Sequence, residues 1–416
     1  MGDGAKLVYL IGAGANRAYA DIEGDQPPLI DEVFSSASRL GFLKHEGRNG
    51  ASNELVDFVD SQFHVDERNL TKTRVSVEEV MDHILDSWEK ALAQKDAKEV
   101  QLCQLLWSQV TRTIGCVLQR AAFNANWCDS LKALGVLLWA EKPTILTFNY
   151  DTILEDAIEK ASGPSTLRYR PPVLAPGFGS AVDAKLHGEV VGSETHDGIP
   201  LRVWTPYLNY GWNPDFASGT LFGGLRRCSA WSPFAGAVRS AVEGPRMLKL
   251  HGSLNWFRFT GEPKIAPSSV VSAPPTETFE GKTLFMDYAW MPYDWPSCEA
   301  IQLEPLVVTP NKLKEKATQL PPYDTLWEQA ARALTDCRKL VVIGYSFGDD
   351  HCRKYFDEHS NRENIEELVF VSPSTRAMEK WAPWLAPKAR VFHLQHAVEY
   401  IWRHPLIRER GLIPFD

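Results

Sequence analysis

An α/β fold built on a parallel sheet is predicted by three observations. Short apolar runs at residues 6–12, 144–148, 339–345 and 368–372 are rich in Val, Ile and Leu with little polar alternation, as in strands buried on both faces. Segments with helical spacing follow or separate these runs, and such alternation is the pattern of a parallel sheet covered on both sides. Several of the runs also end in small or polar residues, which is how a buried parallel strand delivers functional groups at its carboxyl end.

In chain order, residues 6–12 read as the first strand, ending in a glycine-containing turn. A helix is expected over 31–40, after the Pro27-Pro28 break. Residues 43–73 are polar and carry no clear period. Ser76-Val-Glu-Glu79 is a capping-box pattern opening a helical block. There Val80, Met81, Ile84, Leu85, Trp88 and Leu92 recur at three- and four-residue spacing. A second helix over 98–123 would bury Leu102, Leu105, Leu106, Val110 and Ile114, and a third covers 129–140. A strand over 144–148 and a helix over 152–161 follow.

From 162 to about 246 frequent prolines break any long helix. Aromatics such as Tyr169, Trp204, Tyr207, Trp212 and Trp231 recur there, so the segment reads as an irregular or β-containing insert rather than a linker. Residues 261–305 are similar. Alternation then returns, with strands at 306–309, 339–345, 368–372 and 390–394 and helices at 323–337, 350–359 and 374–384. The expected organisation is a main domain from 1–60, 141–161 and 246–400, a helical insert over 61–140, an insert over 162–245 and a C-terminal tail over 401–416.

The 416 residues carry a formal net charge of −9 and a pI near 5.7, with no Lys/Arg block, so strong direct nucleic-acid binding is not expected. The seven cysteines include no pair at the two-to-four-residue spacing of a zinc module, and their odd number argues against a disulfide framework. A reducing cytoplasm is the expected location. No signal peptide is evident, and no run approaches the ~20 apolar residues that span a bilayer.

Four strand ends carry the chemistry. Gly12-Ala-Gly-Ala15, followed by Asn16, could let a backbone approach a pyrophosphate, although Arg17 stands where a third glycine of the dinucleotide fingerprint would. A plain strand-to-helix turn explains it equally. Phe148-Asn-Tyr-Asp151 offers an amide and a carboxylate, either of which could instead cap the next helix. His251 offers an imidazole and reads alone as a hydrogen-bonded structural residue. Gly344-Tyr-Ser-Phe-Gly348 is a small-residue exit with Ser346, and Ser372 and Ser374 lie at the next strand end. Asp349-Asp-His351 fits helix capping by an Asp better than a metal site, because consecutive ligands seldom converge on one ion.

Taken in order, Gly12 to Gly14, Phe148 to Asp151, His251-Gly252 and Gly344 to Ser346 resemble the motifs of the sirtuin-like NAD-binding family. The nearer likeness is to its bacterial antiphage branch of NAD hydrolases, through Thr-Phe-Asn-Tyr-Asp, Leu-His-Gly-Ser-Leu-Asn-Trp and Gly-Tyr-Ser-Phe. The chain lacks the four-cysteine zinc module and the Ile-Pro-Asp-Phe-Arg-type segment of deacylating sirtuins. The resemblance implies a Rossmann-like, sirtuin-like parallel sheet with NAD as substrate and no zinc. It implies catalysis by Asn149 and His251. Gly12, Ala13, Gly14, Ala15, Asn16, Phe148, Asp151, Gly344, Ser346 and Ser372 would contact the dinucleotide, with Asp151 orienting the nicotinamide amide. It further implies an oligomer, in some members with a HerA-type ATPase partner. The alternatives that stay open are an NAD-dependent deacylase or ADP-ribosyltransferase, and a non-catalytic NAD or ADP-ribose sensor.

Overall fold

The computed structural model describes residues 6–18, 27–40, 42–43, 53–65, 67–125, 129–151, 153–162, 190–196, 199–202, 244–259, 283–285, 303–308, 314–319 and 323–410. Six parallel strands form the central sheet: β1 (Leu7–Ile11), β2 (Thr144–Thr147), β5 (Arg246–Lys249), β9 (Lys339–Ile343), β10 (Glu367–Val371) and β11 (Arg390–Leu394). Their spatial order is β11-β10-β9-β1-β2-β5. Counting only these six in chain order, that is 3-2-1-4-5-6 read from the other edge, the order of a Rossmann sheet. The order reverses between β1 and β9, and a ligand crevice in such a sheet lies outside the strand ends at that reversal.

The central strands are apolar throughout because both faces are covered. Leu-Val-Tyr-Leu-Ile of β1 and Lys-Leu-Val-Val-Ile of β9 are buried apart from their first residues. Register is level across the sheet. Ile11 pairs with both Thr147 and Ile343, Ile343 with Val371, and Thr147 with Lys249. The ends of β5, β2, β1, β9 and β10 therefore emerge on one edge at one height.

The remaining strands lie outside this sheet. β3 (Val190–His196) and β4 (Ile199–Arg202) form an antiparallel pair, the described part of the 162–245 insert. β6 (Gly252–Phe259) pairs antiparallel with β7 (Thr283–Phe285) and β8 (Leu303–Val307). One expectation changes here. The strand placed at 306–309 lies at 303–307 and belongs to this small sheet rather than to the parallel one. The 261–305 stretch contributes β7 to it, as an irregular or β-containing segment can. An antiparallel partner needs no crossover helix, so nothing in the helix–strand alternation distinguished the two sheets.

On the helical side lie α1 (Ala13–Ala18), α2 (Val33–Arg39), α3 (Asn53–Phe63), α4 (Glu67–Leu70), α5 (Val77–Gln94), α6 (Ala97–Ala125), α7 (Asp129–Glu141) and α8 (Ile153–Ser162). The 43–73 stretch thus holds two helices. Ser76 caps α5 by accepting from the Glu79 amide. Lys95 closes α5 in the left-handed region, and the Asp96 carboxylate then accepts from the Lys98 and Glu99 amides to start α6.

The buried faces shift slightly from expectation. Val80, Met81, Ile84, Leu85 and Trp88 are buried, but Leu92 is 41% exposed and Leu105 36% exposed. The α6 face runs instead through Cys103, Leu106, Val110, Ile114 and Val117. Over 29 residues the 3.6-residue period has to hold one phase, and Cys103 rather than Leu105 keeps it.

After the inserts come α9 (Lys314–Ala317), α10 (Tyr323–Thr335), α11 (Asp350–His359), α12 (Thr375–Leu385), α13 (Ala397–Arg403) and α14 (Pro405–Glu409). Helices α13 and α14 carry the chain past residue 401 as far as Glu409, with Ile401 and Ile407 fully buried. The Tyr9 hydroxyl donates to Glu141 at 2.7 Å and lies 2.7 Å from the Tyr400 hydroxyl, tying α13 and α7 to the middle of β1. Burial, then the neighbouring Tyr400 and Glu141, hold the Tyr9 phenol well above its ordinary pKa, so it remains a donor. No described helix is long and apolar enough to cross a membrane.

α7 and α8 meet at Gly135, where a Cβ would lie 2.1 Å from the Ala157 carbonyl oxygen, an atom of rigid helix backbone. Gly135→Ala is expected to lower the stability of the fold by about 3 kcal/mol, measured by denaturant unfolding. An unchanged midpoint would mean that the two helices part without cost.

Candidate functional site

Four strand exits converge on the carboxyl edge of the sheet. At the first, the Gly12 amide donates to the Ile343 carbonyl, the Gly14 amide to the Gly344 carbonyl and the Ala15 amide back to Gly12, each at 3.0 Å. A Cβ on Gly12 would lie 2.7 Å from the Gly344 oxygen and one on Gly14 2.8 Å from it. Gly344 has φ +63°, and a Cβ there would meet the Ala15 nitrogen at 2.0 Å. The glycines are thus required where two strand exits press backbone to backbone. The amides of Gly12, Gly14 and Ala15 are committed inside the protein, while Ala13 is exposed at the turn.

Asn16 is buried, and its Nδ2 donates to Asp151 Oδ2 at 2.7 Å. The other carboxylate oxygen of Asp151 accepts from the Ile153 amide at 3.0 Å and caps α8. Asp151 therefore both caps a helix and holds Asn16, with both oxygens engaged. Burial raises its pKa, against the opposing charge of Lys249 and the bonds from Ile153 and Asn16.

Beneath this pair lies a buried ion pair. Lys249 is 0% and Glu155 1% exposed in their side chains, with Nζ to Oε1 at 2.5 Å. Lys249 also donates to the Asp151 carbonyl at 2.5 Å. Burial raises the Glu155 pKa and the Lys249 charge opposes it. Within Lys249-Leu-His-Gly-Ser253, Lys249 and Ser253, whose hydroxyl donates to the Tyr150 carbonyl at 3.3 Å, both tie down the neighbouring Asn-Tyr-Asp segment.

Asn149 and His251 each follow their strand end by two residues, and those ends, Thr147 and Lys249, are register partners. Adjacent strands lie about 4.8 Å apart. The Leu250 amide donates to the Thr147 carbonyl at 2.9 Å, so the pairing continues past the strand ends. The rings on either side of Asn149 both approach the imidazole: Phe148 edge-on at 4.9 Å and Tyr150 stacked at 6.4 Å. Asn149 Nδ2 reaches the Gly12 carbonyl at 3.4 Å, a long contact that links it to the glycine turn. The amide and the imidazole are thereby brought to one place.

The polar atoms here are left open. Among the described residues, Asn16 Oδ1, Asn149 Oδ1 and His251 Nε2 are buried with no hydrogen-bond partner. Leaving a buried polar atom unmet costs about 1–3 kcal/mol, and folded proteins accept it mainly where a ligand or water completes the set. His251 Nε2 does face Asp349 Oδ2 at 3.4 Å, an ion-pair distance outside hydrogen-bond geometry.

Around this cluster the walls are aromatic. Phe148 stacks on Tyr345 with centroids 4.5 Å apart, and Trp327 of α10 donates from its indole to the Leu250 carbonyl at 3.2 Å. Burial holds the Tyr150 phenol protonated, and it donates to the Val308 carbonyl at 2.7 Å. Phe347, fully buried, has φ +55°, a strained value for a bulky residue, and its carbonyl accepts from Arg353 at 3.0 Å.

Ser346 is exposed on the same loop. Ser372 lies two strands from β1, its hydroxyl accepting from the Ser374 amide at 3.2 Å, and Ser374 caps α12. Asp349 caps α11, accepting from the His351 and Cys352 amides. The structure thus gathers Gly12, Asn16, Phe148, Asn149, Asp151, His251 and Gly344 closely and sets Ser346 and Ser372 along the same edge towards β10. Sequence reasoning assigned no site role to Asp349, Lys249, Glu155 or Trp327. Asp349 was read only as a cap, and the approach of its second oxygen to His251 has no signature in a linear pattern. Among the described residues no group of His, Cys, Asp and Glu could hold a metal ion.

No family model and no curated protein matches this chain. It is similar to a solved structure described as the crystal structure of a Sir2 homolog–NAD complex, at 13% identity and a TM-score of 0.35, covering 99% of this chain and 92% of that one. The fold and the residue roles described above rest on the strand order and on the geometry of the strand ends.

Removing one partner of the buried pair strands the other charge. Lys249→Met is expected to cost about 3–5 kcal/mol in denaturant unfolding. The double change Lys249→Met with Glu155→Leu should recover most of that, and equal losses in the single and double variants would show that the pair is not what holds the segment.

Proposed function

We propose that this chain is an NAD glycohydrolase that cleaves the nicotinamide–ribose bond to give ADP-ribose and nicotinamide. The observation that carries the reading is the meeting of Asn149 and His251 at adjacent strand ends, with the buried amide oxygens of Asn16 and Asn149 lacking hydrogen-bond partners among the described residues. Two amide acceptors suit a ligand rich in hydroxyl donors, such as a ribose.

The dinucleotide would lie across the carboxyl edge of the sheet. Its diphosphate would sit at the β1–β9 reversal near Ala13, its adenosine half towards Ser346 and Ser372, and its nicotinamide half over β2 and β5. Nicotinamide leaves the cationic substrate as a neutral molecule, so no acid is required for the leaving group. The protein's tasks are to hold the ribose, exclude competing water and supply one nucleophile. Asn149 Oδ1 would accept from the attacking water or a ribose hydroxyl. His251 would take the proton as the water oxygen bonds to C1′ and the C1′–N bond breaks, later releasing it to solvent. Asn16, fixed by Asp151, would supply the second acceptor, and the Phe148 and Tyr345 rings would wall the site.

The motif resemblance extends the proposal to an abortive-infection effector that depletes NAD in a phage-infected cell, working as an oligomer or with a HerA-type ATPase. Such an activity harms its own host unless controlled, and the helical block and the aromatic-rich insert are the candidate surfaces for that control.

Asn149→Ala and His251→Ala should each fold and lose at least ~10²-fold in NAD cleavage, about 2.7 kcal/mol of barrier, followed by chromatography of nicotinamide and ADP-ribose. Near-wild-type turnover by both variants would refute the assignment. Acyl-ADP-ribose or modified protein among the products would identify a transferase instead.

A further inference from the structure

The geometry points to Asp349 as the positioning residue for His251, an inference that rests on the catalytic reading of that imidazole. Asp349 is held in place by its own helix, since one carboxylate oxygen accepts from the His351 and Cys352 amides at the start of α11. That cap leaves Oδ2 turned to His251 Nε2 at 3.4 Å, with both side chains only 11% exposed. A cap of this kind needs only a short polar side chain, and Ser or Asn would serve it. The placement of the second oxygen beside His251 is therefore not something the cap requires.

Three other groups surround the imidazole. The Tyr150 ring stacks at 6.4 Å, its hydroxyl committed to the Val308 carbonyl. Trp327 lies 6.4 Å away and also packs against His351, whose Nε2 is 2.8 Å from the Thr318 hydroxyl. Among the described titratable groups, Asp349 is thus the carboxylate that faces His251 directly. Phe148 and Tyr150 hold the ring from two sides, so its nitrogens have little freedom to exchange places.

This arrangement fixes the ring's chemistry. A carboxylate opposite Nε2 holds the proton of the neutral imidazole on that nitrogen and leaves Nδ1 as the base. When Nδ1 takes a proton from the attacking water, the same carboxylate stabilises the imidazolium without itself becoming protonated. The 3.4 Å separation closes to a hydrogen bond with a small movement of either side chain, as catalytic contacts commonly do once substrate is bound.

Asp349→Ser keeps a capping hydroxyl but is too short to reach the imidazole. In full-length protein labelled with 15N-histidine, the Nε2-bound proton of His251, identified by its loss in His251→Gln, is expected to be visible and to vanish in Asp349→Ser. In NAD cleavage, Asp349→Ser should lower kcat at least ~10-fold with KM within about twofold, and add nothing to His251→Ala. If Asp349→Ser does not fold, Asp349→Asn, an equally good cap, takes the same measurements. An unchanged Nε2 proton signal, or losses that add independently in the double variant, would overturn the pairing. If the wild type cleaves no NAD while the Nε2 signal depends on Asp349, the glycohydrolase reading fails and the pairing stands.

Discussion

The backbone-to-backbone contact between the Gly12–Gly14 turn and Gly344 is the constraint on which the rest of the site depends. A parallel sheet that reverses its strand order leaves two strand exits diverging at the reversal. Here they are closed to each other by amide-to-carbonyl bonds that no side chain could separate without breaking. The closure sets the height of Tyr345, whose ring stacks on Phe148, and Phe148 in turn meets the His251 ring. It also directs the next loop, where buried Phe347 in a strained backbone conformation leads to Asp349 and the start of α11. One tight contact thus fixes residues drawn from four strand ends.

Beneath that rim the protein carries costs that a structural role alone does not explain. A Lys–Glu pair without solvent access is no better for stability than a well-packed apolar pair would be, and often worse. What it supplies here is position: Lys249 binds both Glu155 and the Asp151 backbone, and Asp151 holds Asn16. The amide oxygens of Asn16 and Asn149 are then left unmet among the described residues. Stabilising bonds spent on holding amides whose own acceptors find no partner among the described residues form a preorganised arrangement, in which the ordering cost is met on folding rather than on binding.

The central sheet was readable because burial on both faces leaves a plain signature: uninterrupted Val, Ile and Leu in runs such as those of β1 and β9. The caps at Ser76 and Asp349 were equally local, since a hydroxyl or carboxylate just ahead of a helical segment acts through bonds it makes at once. The small antiparallel sheet was less legible, because the strand ending at Val307 carries no mark of which sheet it joins. The phase of α6 was mistaken at Leu105, since several leucines compete for one face and packing against neighbouring helices chooses among them.

By itself the sequence determined the residue types at the strand ends, the periods that make strands and helices, and the order in which the motifs arrive. Those are properties of neighbours along the chain. Only the tertiary structure decided that Thr147 and Lys249 share a register level, that Asp151 spends its carboxylate on Asn16, and that Asp349 turns its remaining oxygen to His251. Each of these joins segments far apart in the chain, and such pairings follow from how the sheet orders its strands, which no short stretch of residues encodes.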